Sequence, residues 1–262
     1  MRSAHELHYC NRIVAYLDIL GFRRLVLQSH DDAERTIRRL DETIQHTLHC
    51  LTLDAGADWF SVKLFSDCFC ISCGEGDLST LLMEMSFLQY YLASNGIFVR
   101  GGLSVGRHFE NARIIFSEGL VRAYELQCPD PYPRVLIDPA VVELIRAERS
   151  EGCRNELLGF VLQGFDGVYF LDYLNYAGSE GDFDKEDMLQ AHKDAILAQV
   201  ALNGTRPEIL AKYRWLAEYH NFKFDESFTE DECVEGYFQT LRERLCIPQT
   251  TFPSFKRIDH TE

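Results

Sequence analysis

The N-terminal part of the chain alternates between apolar, β-rich segments and helical segments in an order that few folds accept. Residues 13–20 have the pattern of a buried strand, and a helical pattern follows them. "WFSVKLF" and "CFCISC" are joined at Ser66-Asp67, which predicts a hairpin. A second helix, "DLSTLLMEMSFLQYYLASNG", and the strand "IFVRGGLSVG" complete the order β-α-β-β-α-β. This order predicts an α+β, ferredoxin-like (split βαβ) domain with an antiparallel sheet backed by helices.

The remaining chain adds a helix over "EGLVRAYELQ", a strand at "VLID" and a late hairpin from "LLGFVLQ" and "GVYFLDYL". Near residue 176 the composition changes to the Gly- and acid-rich linker "NYAGSEGDFDKED", and two helical segments follow. Two helices alone have too little core to be stable. We therefore expect a first domain, residues 1–176, and a C-terminal helical extension, residues 177–262, that packs on it. Four side chains of the second helical segment are interpreted as helix packing: Tyr213, Trp215, Tyr219 and His220.

Charge and cysteine content limit the partners of the protein. The 262-residue chain carries 26 Lys and Arg against 41 Asp and Glu, a formal net charge of -15, and no extended basic segment, so we expect neither nucleic acid nor membrane as a partner. "MRSAHELHYCNR" lacks the apolar core of a signal peptide, and no stretch of about 18 apolar residues occurs. We therefore expect a cytoplasmic protein. Its nine cysteines should be reduced thiols, because the count is odd and the chain is long enough to build a core without disulfides. Cys68, Cys70 and Cys73 lack the paired spacing of a zinc site.

The segment "VAYLDILGF" ends an apolar strand with the carboxylate of Asp18. On a split βαβ sheet, the end of the first strand lies beside the turn of the following hairpin, where Asp67 is found. Two carboxylates brought together repel unless a cation binds them, so we predict a site for one or two hard divalent ions. The amides of Ile19, Leu20, Gly21 and Phe22 would then contact phosphate oxygens. The alternative is that Asp18 caps the strand and Asp67 only forms the turn.

Four segments resemble the successive core motifs of class III nucleotide cyclases: "YLDILGF", "KLFSDCFCIS", "FVRGGLSVG" and "IIFSEGLVRAYELQ". Together with the C-terminal "KYRWLAEYHN", these segments are most similar in sequence to the Pycsar pyrimidine cyclases of bacterial anti-phage defence. The resemblance implies conversion of a nucleoside triphosphate to a 3′,5′-cyclic monophosphate and pyrophosphate. It also implies a homodimer with active sites at its interface, and a separate effector that responds to the cyclic product.

The resemblance also assigns roles to individual residues. Asp18 and Asp67 would bind two Mn²⁺ or Mg²⁺ ions per active site, and Ile19 would contribute its backbone carbonyl to one of them. Lys63 falls where class III enzymes place a residue that reads the base, and its ammonium could donate to a carbonyl of a pyrimidine. The alternative for Lys63 is a strand lysine that points to solvent.

The sequence departs from the class III pattern at three positions. The helix that usually carries a catalytic asparagine and arginine has Val121 and Glu125 there, and the second base-reading position falls near Ile114. An isoleucine side chain forms no hydrogen bonds, which makes purine recognition of the usual kind doubtful and favours a pyrimidine substrate. Between the two pyrimidines, the resemblance to the Pycsar cyclases implies UTP, with CTP as the alternative.

Three arginines are candidates to neutralise the transition state: Arg100, Arg107 and Arg122. We assign Arg122 to catalysis and Arg100 to substrate binding. Arg122 could instead pair with Glu125, and Arg100 could be a structural donor. The neighbouring glycines, 101 and 102, fit close backbone approach at a dimer interface or a β-bulge.

Two other functions stay open at this point. A diguanylate cyclase or polymerase would share the sheet and the carboxylates, although its hairpin usually has a Gly-Gly-acidic-acidic turn rather than Ser66-Asp67. A catalytically silent nucleotide-binding or dimerisation module would explain the missing asparagine and arginine. The presence of both Asp18 and Asp67 favours an enzyme, because an unneutralised carboxylate pair costs stability.

Overall fold

The computed structural model describes residues 8–27, 30–55, 60–178, 184–203, 206–230, 236–248 and 256–257. The described strands join in one sheet, with helices packed on its two faces. The strands are β1 Cys10–Ile19, β2 Phe60–Phe65, β3 Cys68–Cys73, β4 Val99–Glu110, β5 Ile115–Ser117, β6 Val135–Ile137, β7 Val161–Gln163, β8 Tyr169–Leu171 and β9 Lys256–Arg257. The helices are α1 Phe22–Val26, α2 His30–Ala55, α3 Leu78–Ser94, α4 Glu118–Gln127, α5 Pro139–Arg146, α6 Glu151–Gly159, α7 Lys185–Asn203, α8 Pro207–Ser227 and α9 Tyr237–Leu245. The predicted α+β class is confirmed.

The strands follow the order β2-β3-β1-β4-β6-β8-β7-β9 across the sheet, and β5 pairs with β4. β1 lies between β3 and β4 and is antiparallel to both, whereas β4 and β6 run parallel. The order along the chain, β1-α-β2-β3-α-β4, is the predicted split βαβ arrangement. The central position of β1 brings its last residues beside the turn between β2 and β3.

Alternation along β1 assigns its side chains to two faces of the sheet. Ile13, Ala15, Leu17 and Ile19 belong to one hydrophobic core, together with side chains of α3, α5 and α6. Burial of each large aliphatic side chain contributes about 1.5–3 kcal/mol. The other face carries Tyr16 and Asp18, and there the apolar packing is incomplete.

Helix α4 packs directly on that second face because glycines let two backbones approach. A Cβ on Gly102 would lie 2.2 Å from the carbonyl oxygen of Ala123, and one on Gly106 would lie 2.7 Å from the nitrogen of Gly119. The prediction of a bulge at Gly101 and Gly102 is wrong, since β1 and β4 pair residue by residue through both glycines. Within one protomer, Gly101 lies against the backbone of β1 and Gly102 against the backbone of α4. The close approach that these glycines permit is therefore made inside the protomer rather than by a dimer partner.

Two helices that the sequence analysis left out, α5 and α6, follow β6. Asp138 caps α5 by accepting a hydrogen bond from the Ala140 amide at 2.9 Å, and Pro139 occupies the first turn. Both helices contribute to the core shared with α3. After them, β7 and β8 form the predicted late hairpin.

The C-terminal helices share a second hydrophobic core with the sheet. Trp215 and Tyr219 of α8 belong to the same cluster as Phe98, Leu136 and Phe170. The two α8 rings stack with centroids 5.6 Å apart, and both are buried, as the packing interpretation predicts. The division of the chain near residue 176 stays a prediction, and residues 179–183 of the proposed linker lie outside the described residues. Among the helices that the structure describes, none is long and apolar enough to cross a membrane.

Candidate active site

Asp18 and Asp67 meet where β1 ends beside the β2–β3 turn. In the sheet register, Asp18 lies opposite Cys68 of β3 and Arg100 of β4. The turn is tight because Ser66 adopts a left-handed conformation, with φ of 57°. The Ile19 amide donates to the Asp67 carbonyl at 2.9 Å, which fastens the turn to the end of β1. The structure therefore brings together the two carboxylates that the sequence singled out.

The side chains of Asp18, Asp67 and Cys68 form a compact cluster of potential ligands. One ligand atom from each residue lies within 4.8 Å of the others. The Cys68 thiol lies 3.6 Å from Asp67 Oδ1 and shares a 3.0 Å hydrogen bond with the Tyr16 hydroxyl. Burial and the two nearby carboxylates raise the pKa of the Cys68 thiol, which keeps it protonated and a poor ligand. Hard divalent ions would thus be held by the two carboxylates.

A single guanidinium compensates this pair of carboxylates. Arg100 Nε donates to Asp18 Oδ2 at 2.9 Å, and Arg100 Nη1 donates to the Asp130 carbonyl at 3.4 Å. Burial raises the pKa of Asp18, Asp67 raises it further, and Arg100 acts in the opposite direction. One positive charge against two carboxylates leaves the cluster negative, which suits a bound cation.

The amides predicted to contact phosphate divide into two pairs. Those of Ile19 and Leu20 already donate within the protein, to the Asp67 carbonyl at 2.9 Å and the Phe98 carbonyl at 2.8 Å. Gly21 adopts a φ of 75° at the start of α1, a conformation that glycine accepts without strain. Phosphate contacts by backbone amides in this turn would therefore involve Gly21 and Phe22.

Lys63 lies on the same face of the sheet as the acidic cluster. It pairs with Cys70 of β3, and Cys70 in turn pairs with Tyr16 of β1, so the three side chains form one row. The Lys63 side chain is exposed. This placement is compatible both with the predicted base-reading role and with a solvent-facing lysine.

Arg122 lies at a distance from this cluster within one protomer. Its Nη2 pairs with Glu118 at 2.5 Å and its Nη1 donates to the Val105 carbonyl at 3.3 Å. Val105 is opposite Ile13 in the register, toward the start of β1 and away from Asp18. The expectation that Arg122 pairs with Glu125 is wrong, because Glu118 on the preceding turn is its partner.

Arg107 pairs with the same carboxylate as Arg122, since its Nε donates to Glu118 Oε2 at 3.3 Å.

The three positions that depart from the class III pattern are all exposed on the protomer surface: Ile114, Val121 and Glu125. A contribution from this surface to catalysis would therefore reach the Asp18 cluster of another protomer.

Three residues near the site were missed by the sequence analysis. Tyr16 precedes Asp18 by one alternation of β1, and Cys68 follows Asp67, so both could have been found from the strand pattern. Lys212 of α8 interacts electrostatically with Asp18 and Arg100, while burial lowers its pKa. No local signal reveals Lys212, because its position depends on how the C-terminal helices dock.

Comparisons with known proteins give a distant likeness of fold. No protein-family model and no curated protein matches the sequence. Among solved structures, a bacterial light-regulated adenylyl cyclase superposes with a TM-score of 0.45 and 12% identity, over 73% of this chain and 59% of its own length. The catalytic core of a rhodopsin-guanylyl cyclase with converted specificity, in complex with ATPαS, gives 0.42 and 12%, over 62% and 95%. A class III adenylyl cyclase-like ATP-binding protein from Pseudomonas aeruginosa gives 0.36 and 14%, over 56% and 39%.

The chain spans 59% of the length of the light-regulated cyclase.

Proposed function

We propose that this protein is a metal-dependent nucleotide cyclase that converts UTP to 3′,5′-cyclic UMP and pyrophosphate. The ribose 3′-hydroxyl loses its proton to solvent and its oxygen attacks the α-phosphorus. The bond from that phosphorus to the bridging oxygen of the β-phosphate breaks, and pyrophosphate leaves. CTP is the alternative substrate. The observation that carries the proposal is the convergence of Asp18 and Asp67 at the end of β1.

The donor set of the site fits the implied metal. Mn²⁺ and Mg²⁺ prefer carboxylate and carbonyl oxygens, which Asp18, Asp67 and the backbone of Ile19 supply. When bound, such ions lower the pKa of the attacking hydroxyl and neutralise charge on the leaving pyrophosphate. Burial raises the pKa of Asp18 and Asp67 raises it further, so a bound cation would stabilise the ionised carboxylate.

The remaining side chains would orient the nucleotide. Arg100 lies against Asp18 and could donate to an α-phosphate oxygen through Nη2. Lys63 carries a donor to the same face of the sheet, where it could contact a pyrimidine carbonyl. The Gly21 and Phe22 amides would contact the more distal phosphates.

A homodimer would complete the site. The protomer surface exposes apolar side chains: Phe65 of β2 is 83% exposed, Phe116 of β5 64% and Val121 of α4 55%. Such side chains would be buried against a second copy. Arg122 would then face the partner's nucleotide.

By resemblance to the Pycsar cyclases, we further propose that the cyclic product activates a separate effector in anti-phage defence.

The proposal is tested by identifying products. Purified protein with Mn²⁺ is incubated separately with ATP, GTP, CTP and UTP, and the products are analysed by mass spectrometry. We expect cyclic UMP and pyrophosphate from UTP. A cyclic purine nucleotide as the main product would contradict the pyrimidine assignment.

The second candidate is a catalytically silent nucleotide-binding module. It is favoured by Val121 and Glu125 on α4, and by the ion pair that already engages Arg100 with Asp18. If none of the four nucleotides yields a cyclic product while UTP still binds, this candidate replaces the cyclase.

A further inference from the structure

A cavity of about 550 Å³ lies between the β1–α1 turn and the C-terminal helices. This volume is within the range of small-molecule sites, about 300–1,000 Å³. Gly21 of the turn lines it, together with residues of α1, α2, α7 and α8. Its cationic lining residues are Arg23, Arg24, Arg39, Arg206 and Lys212.

The charge in this cavity is opposite to that of the whole chain. The protein has a formal net charge of -15, yet among the residues that the structure describes no Asp or Glu lines the cavity. Within the part of the chain that the structure describes, none of its five cationic residues forms an ion pair with a carboxylate. Four of these side chains, Arg23, Arg24, Arg39 and Arg206, are exposed, and Lys212 is half-buried. An anion that enters the cavity would therefore be attracted by several positive charges.

Hydrogen bonds between its walls hold this cavity in shape. Arg24 Nη1 donates to Asn203 Oδ1 at 2.6 Å, and Asn203 Nδ2 donates to the Gln199 carbonyl at 2.8 Å. Gln199 Nε2 in turn donates to the Gly96 carbonyl at 3.1 Å. This chain of contacts ties α1 to α7 and α7 to the turn before β4. Asn203 is only 5% exposed, so Arg24 is positioned by a buried partner.

Two lining residues relate the cavity to the acidic cluster. Lys212 lines the cavity and also interacts electrostatically with Asp18 and Arg100. Gly21 lines the cavity two residues after Ile19, whose amide is bonded to the Asp67 carbonyl. A ligand whose one end lies at the carboxylates could extend its other end into the cavity.

We propose that this cavity binds a polyphosphate group, and that in the cyclase it receives the β- and γ-phosphates of the substrate. One guanidinium can bind two phosphate oxygens at once, and an ammonium adds a point charge. Arg206, at the cap of α8, and Lys212, within it, would therefore give this helix a direct part in substrate binding. The assignment of the ligand as the substrate rests on the proposed function. The affinity of the cavity for polyphosphate is independent of that function.

Calorimetric titration with inorganic tripolyphosphate, without divalent ions, tests the site. The double variant Arg206→Gln/Lys212→Gln should bind at least tenfold more weakly than the wild type, because two charged donors are lost. Arg214→Gln is the matched control, since Arg214 is exposed on the same helix and does not line the cavity. Its affinity should stay within about twofold of the wild type. Absence of wild-type binding at millimolar tripolyphosphate, or equal weakening by Arg214→Gln, would overturn the site.

A second titration identifies the source of the polyphosphate. With Mn²⁺ and a non-cyclisable UTP analogue, the double variant should again lose at least tenfold in affinity. Unchanged affinity for the analogue would overturn the substrate assignment and indicate a separate phosphate-rich ligand. Tripolyphosphate binding in a protein that makes no cyclic nucleotide would contradict the proposed function and support the cavity site.

Discussion

Two clusters of charge in this protein differ in how far their charges are compensated. Around Asp172, which is fully buried, each carboxylate oxygen accepts a hydrogen bond. The Tyr219 hydroxyl donates to Oδ1 at 2.6 Å, and Lys223 Nζ donates to Oδ2 at 2.8 Å. Lys223 also contacts Glu226 at 2.7 Å. This cluster is complete without a ligand and joins α8 to the sheet.

The cluster at the end of β1 is incomplete by the same measure. Arg100 pairs with Asp18, no cation forms an ion pair with Asp67 within the described residues, and the pKa of Asp18 is raised despite the Arg100 contact. The next cation, Lys212, forms no ion pair with either carboxylate within the described residues. A compensated cluster stabilises the fold, whereas an undercompensated cluster at the open end of a sheet is suited to bind an ion and its substrate.

The largest expected effect on stability comes from breaking the compensated cluster. Lys223→Met should lower the free energy of unfolding by about 3–5 kcal/mol, because it leaves the Asp172 carboxylate buried without its cation. Urea denaturation measures the change. Lys185→Met, at an exposed lysine of α7, should change stability by less than about 0.5 kcal/mol. If the two variants were equally stable, the structural role of the Asp172 cluster would be wrong.

The largest expected effect on activity comes from the incomplete cluster. Asp67→Asn should lower kcat for UTP cyclisation at least 100-fold, about 2.7 kcal/mol of transition-state stabilisation, because the ion loses a ligand. Stability should change by less than about 0.5 kcal/mol, since Asp67 is on a turn. Asp41→Asn, at an exposed aspartate of α2, serves as the control for loss of one negative charge. Full activity of Asp67→Asn would contradict the metal site.

Acid should destabilise the C-terminal core through two buried histidines. Burial lowers the pKa of His220 to about 4 and also holds that of His192 well below its usual value, while both would titrate near 6.5 in the unfolded chain. The unfolded state therefore binds more protons, and stability present above pH 6.5 is lost as the pH falls toward 4. The expected slope is about 1.4 kcal/mol per pH unit for each histidine.

Urea denaturation between pH 7 and pH 5 measures this slope. NMR titration of the folded protein gives an independent readout, because both imidazoles should stay neutral at pH 5. A histidine that protonated in the folded state near pH 6.5 would show that its burial has no effect on its pKa.

Loss of the proposed contact between Lys63 and the base should lower activity less than loss of a metal ligand. Lys63→Met should raise KM for UTP about tenfold and leave kcat within about threefold, because a hydrogen bond to the base is lost in the ground state and the transition state alike. Steady-state kinetics with UTP and CTP measure it, with Lys185→Met as the control. An unchanged KM would favour the solvent-facing alternative for Lys63.

The strand and turn positions in this site could be predicted from local sequence. Alternation along β1 placed Asp18 at the end of a buried strand, and the two β-rich segments placed Asp67 in their turn. By contrast, α5 was missed although Asp138 and Pro139 form a recognisable helix start. Lys212 could not be found from sequence, since the docking of α8 depends on contacts between residues far apart in the chain.

The smallest expected effect sharpens the contrast between the two clusters. Without metal, Asp18→Asn should be as stable as the wild type or slightly more stable. The reason is the raised pKa of Asp18, which means that its ionised form destabilises the fold at neutral pH. The loss of folding free energy grows as the pH rises through that pKa. Thermal denaturation in chelator at pH 7 measures the difference. A large loss of stability would place Asp18 with Asp172 among the structural carboxylates.

The most direct test of the central claim is Mn²⁺ binding measured by electron paramagnetic resonance in the presence of a non-cyclisable UTP analogue. The account predicts that the wild type and Asp41→Asn bind Mn²⁺ alike, and that Asp18→Asn and Asp67→Asn bind it at least 100-fold more weakly. Equal Mn²⁺ affinity in all four proteins would contradict the assignment of Asp18 and Asp67 as the metal ligands.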